Sequence, residues 1–273
     1  MSALNDFPVT IIGAGIAGLT AACALAQLGA RVTVLERAGA LREVGAGLQI
    51  SPNAVRVLTA LGLWDRFEAI SARSERVELR DSAGRQVARL DLARHRPTDR
   101  FRMVHRARLV AMLEKAARDA GVEVVLGHEV DDLPDAPLLI GADGLKSRLR
   151  RELNGPEVPF FTGQTAWRTL IPAEPDAAPV AQVFMGPGRH LVSYPLGFGL
   201  RNIVAVVERP DWQDEGWSLP GDPAELRAAF ARFGGPVQDW LARVDRVGVW
   251  GLFRHTVAAH WQDGSRALIG DAA

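Results

Sequence analysis

Apolar and polar positions fall into two regimes along the chain. The first opens with an unbroken apolar run, Val9 to Ile12, then Gly13-Ala14-Gly15-Ile16-Ala17-Gly18, a stretch with helical spacing, and a second apolar run within Arg31 to Leu35. Short continuous apolar runs of this kind predict strands covered on both faces, as in a parallel sheet. Ser51-Pro52 predicts a helix start with Ser at the N-cap, running through Val55, Leu58 and Leu61 to Gly62. From Arg76 to Leu92 the pattern changes to alternation, Val77 and Leu79, then Val87 and Leu90, around an Asp-Ser-Ala-Gly turn, which predicts a hairpin. Ala93 to Arg100 reads as a basic, solvated connection. An amphipathic helix follows from about Arg106 to Ala120, with Leu109, Leu113, Ala116 and Ala117 on one face, and then a strand, Val122 to Leu126.

The second regime is mostly strand. After a Pro/Asp-rich turn and the apolar stretch Pro137 to Ala142, alternating segments at Phe160–Ile171, Ala181–Met185, His190–Pro195 and Asn202–Glu208 predict antiparallel sheet. An irregular Trp- and Asp-rich loop separates these from Asp222-Pro223-Ala224-Glu225, a helix start with a reciprocal Asp/Glu capping box, and that helix is expected to reach Gly234. Arg246–Phe253 and Arg266–Ile269 are the last predicted strands. The fold expected is therefore α/β: a Rossmann-like nucleotide-binding domain with a parallel sheet, and an interleaved, mainly antiparallel β domain. The first is expected to comprise residues 1–73, 102–157 and 262–273, and the second 74–101 and 158–261.

Charge changes the picture only by exclusion. Lys plus Arg and Asp plus Glu both number 32, so the net charge is zero and no basic field exists to hold nucleic acid. The single cysteine, Cys23, rules out an internal disulfide and reads as a small buried hydrophobe. The apolar stretch Val9 to Leu28 has no basic leader and three glycines, so it is neither a signal sequence nor a membrane span. A cytoplasmic enzyme, monomeric or homodimeric, is the expectation. The chain stops at Ala-Leu-Ile-Gly-Asp-Ala-Ala, directly after a strand, and reads as an interrupted fold.

The first regime carries chemistry. Gly13 permits a tight turn after the first strand, Gly15 lets backbone approach a pyrophosphate, and Gly18 lets the helix pack close to the sheet. The N-terminus of that helix presents free N–H groups to the phosphates. Glu36 ends the second strand, where a carboxylate can accept both hydroxyls of an adenosine ribose and would repel a 2′-phosphate. Two further motifs sit at predicted strand ends: Gly141-Ala142-Asp143-Gly144, with Ser147 able to cap the next helix, and Gly270-Asp271. Each is explicable alone as an ordinary strand–turn.

As an ordered set, these motifs resemble the FAD-dependent aromatic hydroxylases of the para-hydroxybenzoate and salicylate hydroxylase type. Gly-Ala-Gly-Leu-Gln-Ile-Ser-Pro-Asn at 45–53, His-Arg-Ala-Arg-Leu at 105–109 and Thr-Ala-Trp-Arg at 165–168 resemble the salicylate and 3-hydroxybenzoate branch. The likeness extends over essentially the whole chain. It implies an FAD site at Gly13, Ala14, Gly15, Ile16, Ala17, Gly18, Glu36, Arg37, Gly47, Leu48, Arg106, Val130, Asp143, Gly144 and Asp271, with NADH as a transiently docked co-substrate and dioxygen as oxidant. The reaction implied is hydroxylation of a small phenolic or aromatic acid through a flavin hydroperoxide. Two departures stand out. Arg108 replaces the family's usual Asp, and the family continues beyond Gly-Asp-Ala-Ala with His-Pro, a glycine-rich turn and a covering helix.

A phenol attacks better once deprotonated, and a histidine near neutrality is the fitting base. His190 and Tyr194 lie four residues apart on one predicted strand and hence on one face. In the 3-hydroxybenzoate branch a His and a Tyr at this spacing touch the substrate hydroxyl, which makes both catalytic candidates. The alternative is a satisfied sheet histidine beside a half-buried aromatic. Arg168 reads equally as a partner for a substrate carboxylate or as half of an inter-strand ion pair. His255 and His260 lack ligand companions, so no metal is expected. His105 and His128 read as surface or edge residues, and Trp167, Trp250 and Trp261 as core. Two alternatives stand: a same-fold tailoring oxidase, with halogenation disfavoured by Thr169 where a second tryptophan belongs, and an inactive fragment binding only the ADP part of FAD.

Overall fold

The structure is a computed structural model and describes residues 4–41, 47–212 and 219–273. Its first sheet has six strands in the order Gln262–Asp263, Arg266–Leu268, Leu139–Gly141, Pro8–Ile12, Arg31–Glu36, Glu123–Leu126, and every neighbouring pair except the first is parallel. The apolar runs explain that arrangement. Val9, Ile11, Val32 and Val34 are buried beneath the helices Ile16–Gln27 and Arg106–Asp119, which also bury Leu19, Ala22, Leu109 and Leu113. Cys23 is one of these core residues, and burial raises its thiol pKa. Register places Ile12 between Leu35 and Gly141. The chain segments that follow these strands therefore emerge together at their carboxyl ends.

The second sheet has eight strands: Leu219–Gly221, Val247–Arg254, Phe160–Pro172, Leu200–Glu208, Arg189–Gly197, Val180–Gly186, Arg76–Asp81 and Gln86–Asp91. Only the pair Val180–Gly186 and Arg76–Asp81 is parallel. One face buries Trp167, Phe184, Leu191, Ile203 and Ala205 against Leu226, Phe230, Phe233 and Trp240. The other face contributes Tyr194, Leu196 and Ala181 to a separate cluster with Met103. Met103 belongs to a small antiparallel sheet, Gly47–Ile50, Arg102–His105 and Ser71–Arg73, which links the two larger ones.

The α/β class is as expected, and five local expectations are corrected. The helix after Ser51 ends at Ala60, and a separate helix, Trp64–Ile70, follows Gly62, whose φ of +71° does not continue a helix. Ser51 is positioned as N-cap, but its hydroxyl bonds the Asn53 side chain instead of the backbone. The helix from Asp222 stops at Ala229, and a second helix spans Val237–Ala242. The break lies where Gly234 packs on the hairpin turn: an added Cβ there would stand 2.5 Å from the Ala83 carbonyl oxygen. In the capping box Asp222 accepts from the Ala224 N–H at 2.8 Å, whereas Glu225 pairs with Arg209. Finally, part of the loop after Asp91 is a short helix, Leu92–His95, and residues 213–218 of the Trp/Asp-rich loop lie outside the described residues.

Candidate functional site

A cleft of about 1020 Å³ lies across the carboxyl ends of the parallel strands. Gly13, Gly15, Ile16, Ala17, Glu36, Arg37, Arg106, Val130, Asp143, Gly144 and Asp271 line it. These residues come from widely separated stretches of sequence, and the sheet register alone brings them together.

The glycine turn is built for an anion to approach. Gly13 adopts φ +103°, and a Cβ there would lie 2.4 Å from the Ala142 carbonyl oxygen, so the first and third of the site's strands touch at this point. A Cβ on Gly18 would stand 2.0 Å from the Gly13 carbonyl oxygen, which accounts for the close helix–turn contact. Gly15 differs: a Cβ there meets nothing within 4 Å, so this residue faces open space in the cleft wall. Gly15 is also the N-cap of helix Ile16–Gln27, with no capping side chain and no acidic residue in the first turn. The helix N–H groups and positive dipole end are left for a ligand anion.

Glu36 is held by the same turn. Its Oε2 accepts the Ala14 N–H at 2.8 Å and its Oε1 the Ala38 N–H at 2.9 Å. Each oxygen keeps a lone pair for a ribose hydroxyl. Asp143 Oδ2 accepts the Arg148 N–H at 2.9 Å, while its Oδ1 is buried without a hydrogen-bond partner among the described residues. Ser147 caps helix Arg148–Asn154 by accepting the Arg150 N–H at 3.0 Å. An open phosphate approach, a carboxylate fixed at the end of the second strand and an orphaned carboxylate oxygen together fit a dinucleotide with further hydroxyls to bind.

Four of the expected cofactor residues do not line the cleft. Ala14 is buried and acts through its N–H to Glu36, and Gly18 acts by close packing. Leu48 packs against the main core, and Gly47 donates its N–H to Asn202 Oδ1 at 2.8 Å. Gly45 and Ala46 of the same motif lie outside the described residues.

His190 and Tyr194 share one face of the large sheet, as predicted, with Val192 between them. At strand rise they stand about 13 Å apart along the backbone, and neither lines the cleft. Tyr194 is buried, with the Gln49 side chain near its hydroxyl. Burial raises its pKa to about 12, although Arg168 and Gln49 pull the other way. Burial lowers the His190 pKa. On this face Arg168 lies with its guanidinium 5.1 Å from the Trp250 ring, close enough to both Tyr194 and Arg106 for their charges to act on it. Burial lowers its pKa, its Nε has no hydrogen-bond partner, and no carboxylate stands within ion-pair distance among the described residues. The inter-strand ion pair open to it from sequence is absent there.

One histidine and two tryptophan readings are corrected. His128 is exposed, as expected, at the cleft rim, whereas His105 has a buried Nδ1 without a partner and a pKa lowered by burial and by Arg108. Trp167 is core, but Trp250 lines a second cavity and Trp261 is 54 % exposed. Arg108, where the resemblance calls for Asp, stacks on Phe198 at 3.7 Å. No cluster of three metal-ligating side chains occurs among the described residues. No helix among them is long and apolar enough to cross a membrane. The residue missed from sequence, Asn202, had one faint signal: a lone amide beside the apolar run Ile203 to Val207.

The fold and cleft define a dinucleotide-binding α/β protein with a second, β-rich sheet. Comparison with known proteins narrows that class. Residues 6–136 match the FAD binding domain family. The chain is 34 % identical to 3-amino-4-hydroxybenzoate 2-monooxygenase PtmB3 of Streptomyces platensis, over 98 % of this chain and 74 % of that protein. It is 30 % identical to 3-hydroxybenzoate 6-hydroxylase 1 of Aquipseudomonas alcaligenes, over 97 % and 74 %. Its fold superposes on Klebsiella pneumoniae HpxO complexed with FAD and uric acid with a TM-score of 0.85, at 27 % identity, covering 99 % of this chain and 74 % of that one. A salicylate hydroxylase substrate complex gives 0.79 at 26 % identity, covering 98 % and 74 %. The chain belongs to the FAD-dependent aromatic hydroxylases, a family of flavoprotein monooxygenases.

Proposed function

We propose that this chain holds FAD in the large cleft and, consuming NADH and dioxygen, hydroxylates a small phenolic or aromatic acid. Bound FAD, once reduced by NADH, would supply the electrons that activate dioxygen for transfer of one oxygen atom to the ring; the chain supplies binding, orientation and proton handling. Gly15 and the helix behind it take the pyrophosphate, Glu36 the adenosine ribose, and Asp143 and Asp271 the hydroxyls of the ribityl side, with Arg37, Arg106, Val130 and Gly144 completing the walls. Gly47 and Leu48 lie beside the flavin ring. His190, neutral at physiological pH because burial lowers its pKa, accepts the phenol proton. Tyr194 stays protonated and serves as a hydrogen-bonding group, never as the base.

The observation that carries the substrate class is Arg168. A half-buried guanidinium over Trp250, its Nε buried without a partner and no carboxylate in ion-pair distance among the described residues, calls for a counter-ion. The carboxylate of an aromatic acid supplies one. This is also the chemistry of the relatives' named substrates, aminohydroxybenzoate and hydroxybenzoate.

The test has two stages. Visible absorption of the chain after FAD addition and desalting reads cofactor retention; NADH oxidation at 340 nm then compares hydroxybenzoates with the matching neutral phenols. Flavin bands and faster turnover with the acids support the proposal. Retained flavin without any aromatic stimulation favours a tailoring oxidase, and a colourless chain removes the cofactor assignment.

A further inference from the structure

We propose that Asn202 is a positioning residue, which fixes the strand Gly47–Ile50, and through it one wall of the FAD cleft, to the large sheet. The inference rests on the FAD reading above. Asn202 is fully buried in the middle of that sheet, opposite Leu170 on one neighbouring strand and Tyr194 on the other. A primary amide in such a place is costly unless it is bonded. Its Oδ1 accepts the Gly47 N–H at 2.8 Å, and its Nδ2 has no partner among the described residues. A leucine would fill the same space without an orphaned donor, so packing alone does not account for the amide.

The strand it holds is an edge. Gly47–Ile50 pairs with Arg102–His105 on one side only, leaving its other side for side chains from the large sheet. Asn202 makes such a bond to Gly47, and Tyr194 lies near the Gln49 side chain two residues further on. The contact is also tight. A Cβ on Gly47 would lie 2.7 Å from Asn202 Cγ, 2.8 Å from its Cβ and 2.9 Å from Leu196 Cδ2. Both ends of this small sheet reach the cleft. Ile50 lines it directly, and Arg102–His105 runs straight into Arg106, which lines it as well. The cleft wall is thus registered to the large sheet by one buried amide.

The test combines FAD titration by flavin fluorescence with thermal melts of the chain with and without FAD, and with visible circular dichroism of the bound flavin. Asn202→Leu is expected to weaken FAD binding about tenfold, the factor that corresponds to one lost hydrogen bond. It should also alter the flavin dichroism while leaving the melting temperature without FAD close to wild type. Gly47→Ala should reproduce that phenotype, because the added Cβ would drive the strand off the Asn202 amide. Wild-type affinity and dichroism in Asn202→Leu would overturn the proposal, as would a melting temperature lowered equally with and without FAD. If Asn202→Leu does not fold, Gly47→Ala decides: wild-type FAD affinity and dichroism in that variant count against the proposal. A wild-type chain that takes up no FAD would remove the cofactor reading and this inference together, whereas FAD-binding variants indistinguishable from wild type remove only this inference.

Discussion

Glu36 accepts the Ala14 N–H at 2.8 Å, so the carboxylate that would meet a ribose also braces the turn that would meet the phosphates. The two duties are coupled. Glu36→Ala removes both and is expected to weaken FAD binding by about 10- to 100-fold, the range for losing hydrogen bonds to a charged group. Glu36→Gln should cost less, because its carbonyl oxygen still accepts one of the two backbone bonds. Flavin fluorescence titration checks the order of the three proteins; equal affinity in all three would show that Glu36 meets no ribose.

Arg168 tests the substrate assignment separately from the cofactor. It stands on the sheet face with Trp250 and Tyr194 and outside the FAD cleft lining. Arg168→Met keeps much of the apolar stem and removes the charge. KM for a hydroxybenzoate is expected to rise by about 10- to 100-fold, the range for a lost charge-assisted bond, while FAD affinity stays near wild type. Arg168→Lys should recover only part, since an ammonium lacks the planar fork. Parallel loss of FAD binding and substrate affinity would place Arg168 in the cofactor wall instead.

How far the sequence reached follows from how local each feature is. Gly13, Gly15, Gly18 and Glu36 were legible because one strand–turn–helix–strand unit specifies them within thirty residues of chain. Asp143 and Asp271 were legible as strand-end acids, since any parallel strand beside Pro8–Ile12 must deliver its carboxyl end to the same rim. The contact between Gly47 and Asn202 spans 155 positions and depends on how two sheets face each other, which no local pattern encodes. The break after Ala229 was hidden for the same reason. Helical periodicity continues in the sequence, but Gly234 must fit against Ala83 of a distant hairpin. His190 and Tyr194 were placed correctly on one strand face, while their distance from the cleft is a property of packing.

The pH dependence of turnover should separate those two residues. Burial lowers the His190 pKa below its ordinary value, so the unprotonated, base-competent form persists to below pH 6.5. The acid limb of kcat/KM is therefore expected below pH 6.5, and His190→Gln should abolish it with a rate loss of about 10²- to 10⁴-fold. Tyr194→Phe should leave that limb in place, because a phenol with a pKa of about 12 does not titrate near neutrality. An unchanged acid limb in His190→Gln would assign the base to another group.

The far side of the large sheet offers a stability test independent of the flavin. Glu174 accepts hydrogen bonds from Arg201 at 2.7 Å and 2.9 Å, from Arg243 at 2.6 Å and from Trp240 Nε1 at 2.7 Å. Burial by itself would raise its carboxyl pKa, but its own backbone N–H and these donors outweigh that and hold it at about 2. The folded state thus binds its proton less readily than the unfolded chain does, so this stabilisation is complete above the ordinary glutamate range and is lost as pH falls from there toward 2. Glu174→Gln is expected to lower the melting temperature at pH 7 by several degrees, about what a loss of 1 kcal/mol produces, because Arg201, buried over the Trp240 ring, loses its charged partner. At pH 3 the two proteins should melt closer together, since the wild-type advantage shrinks while the variant has none to lose. Thermal melts across that range read the difference directly, and a gap that stays constant with pH would show that the Glu174 carboxylate is not what the cluster stabilises.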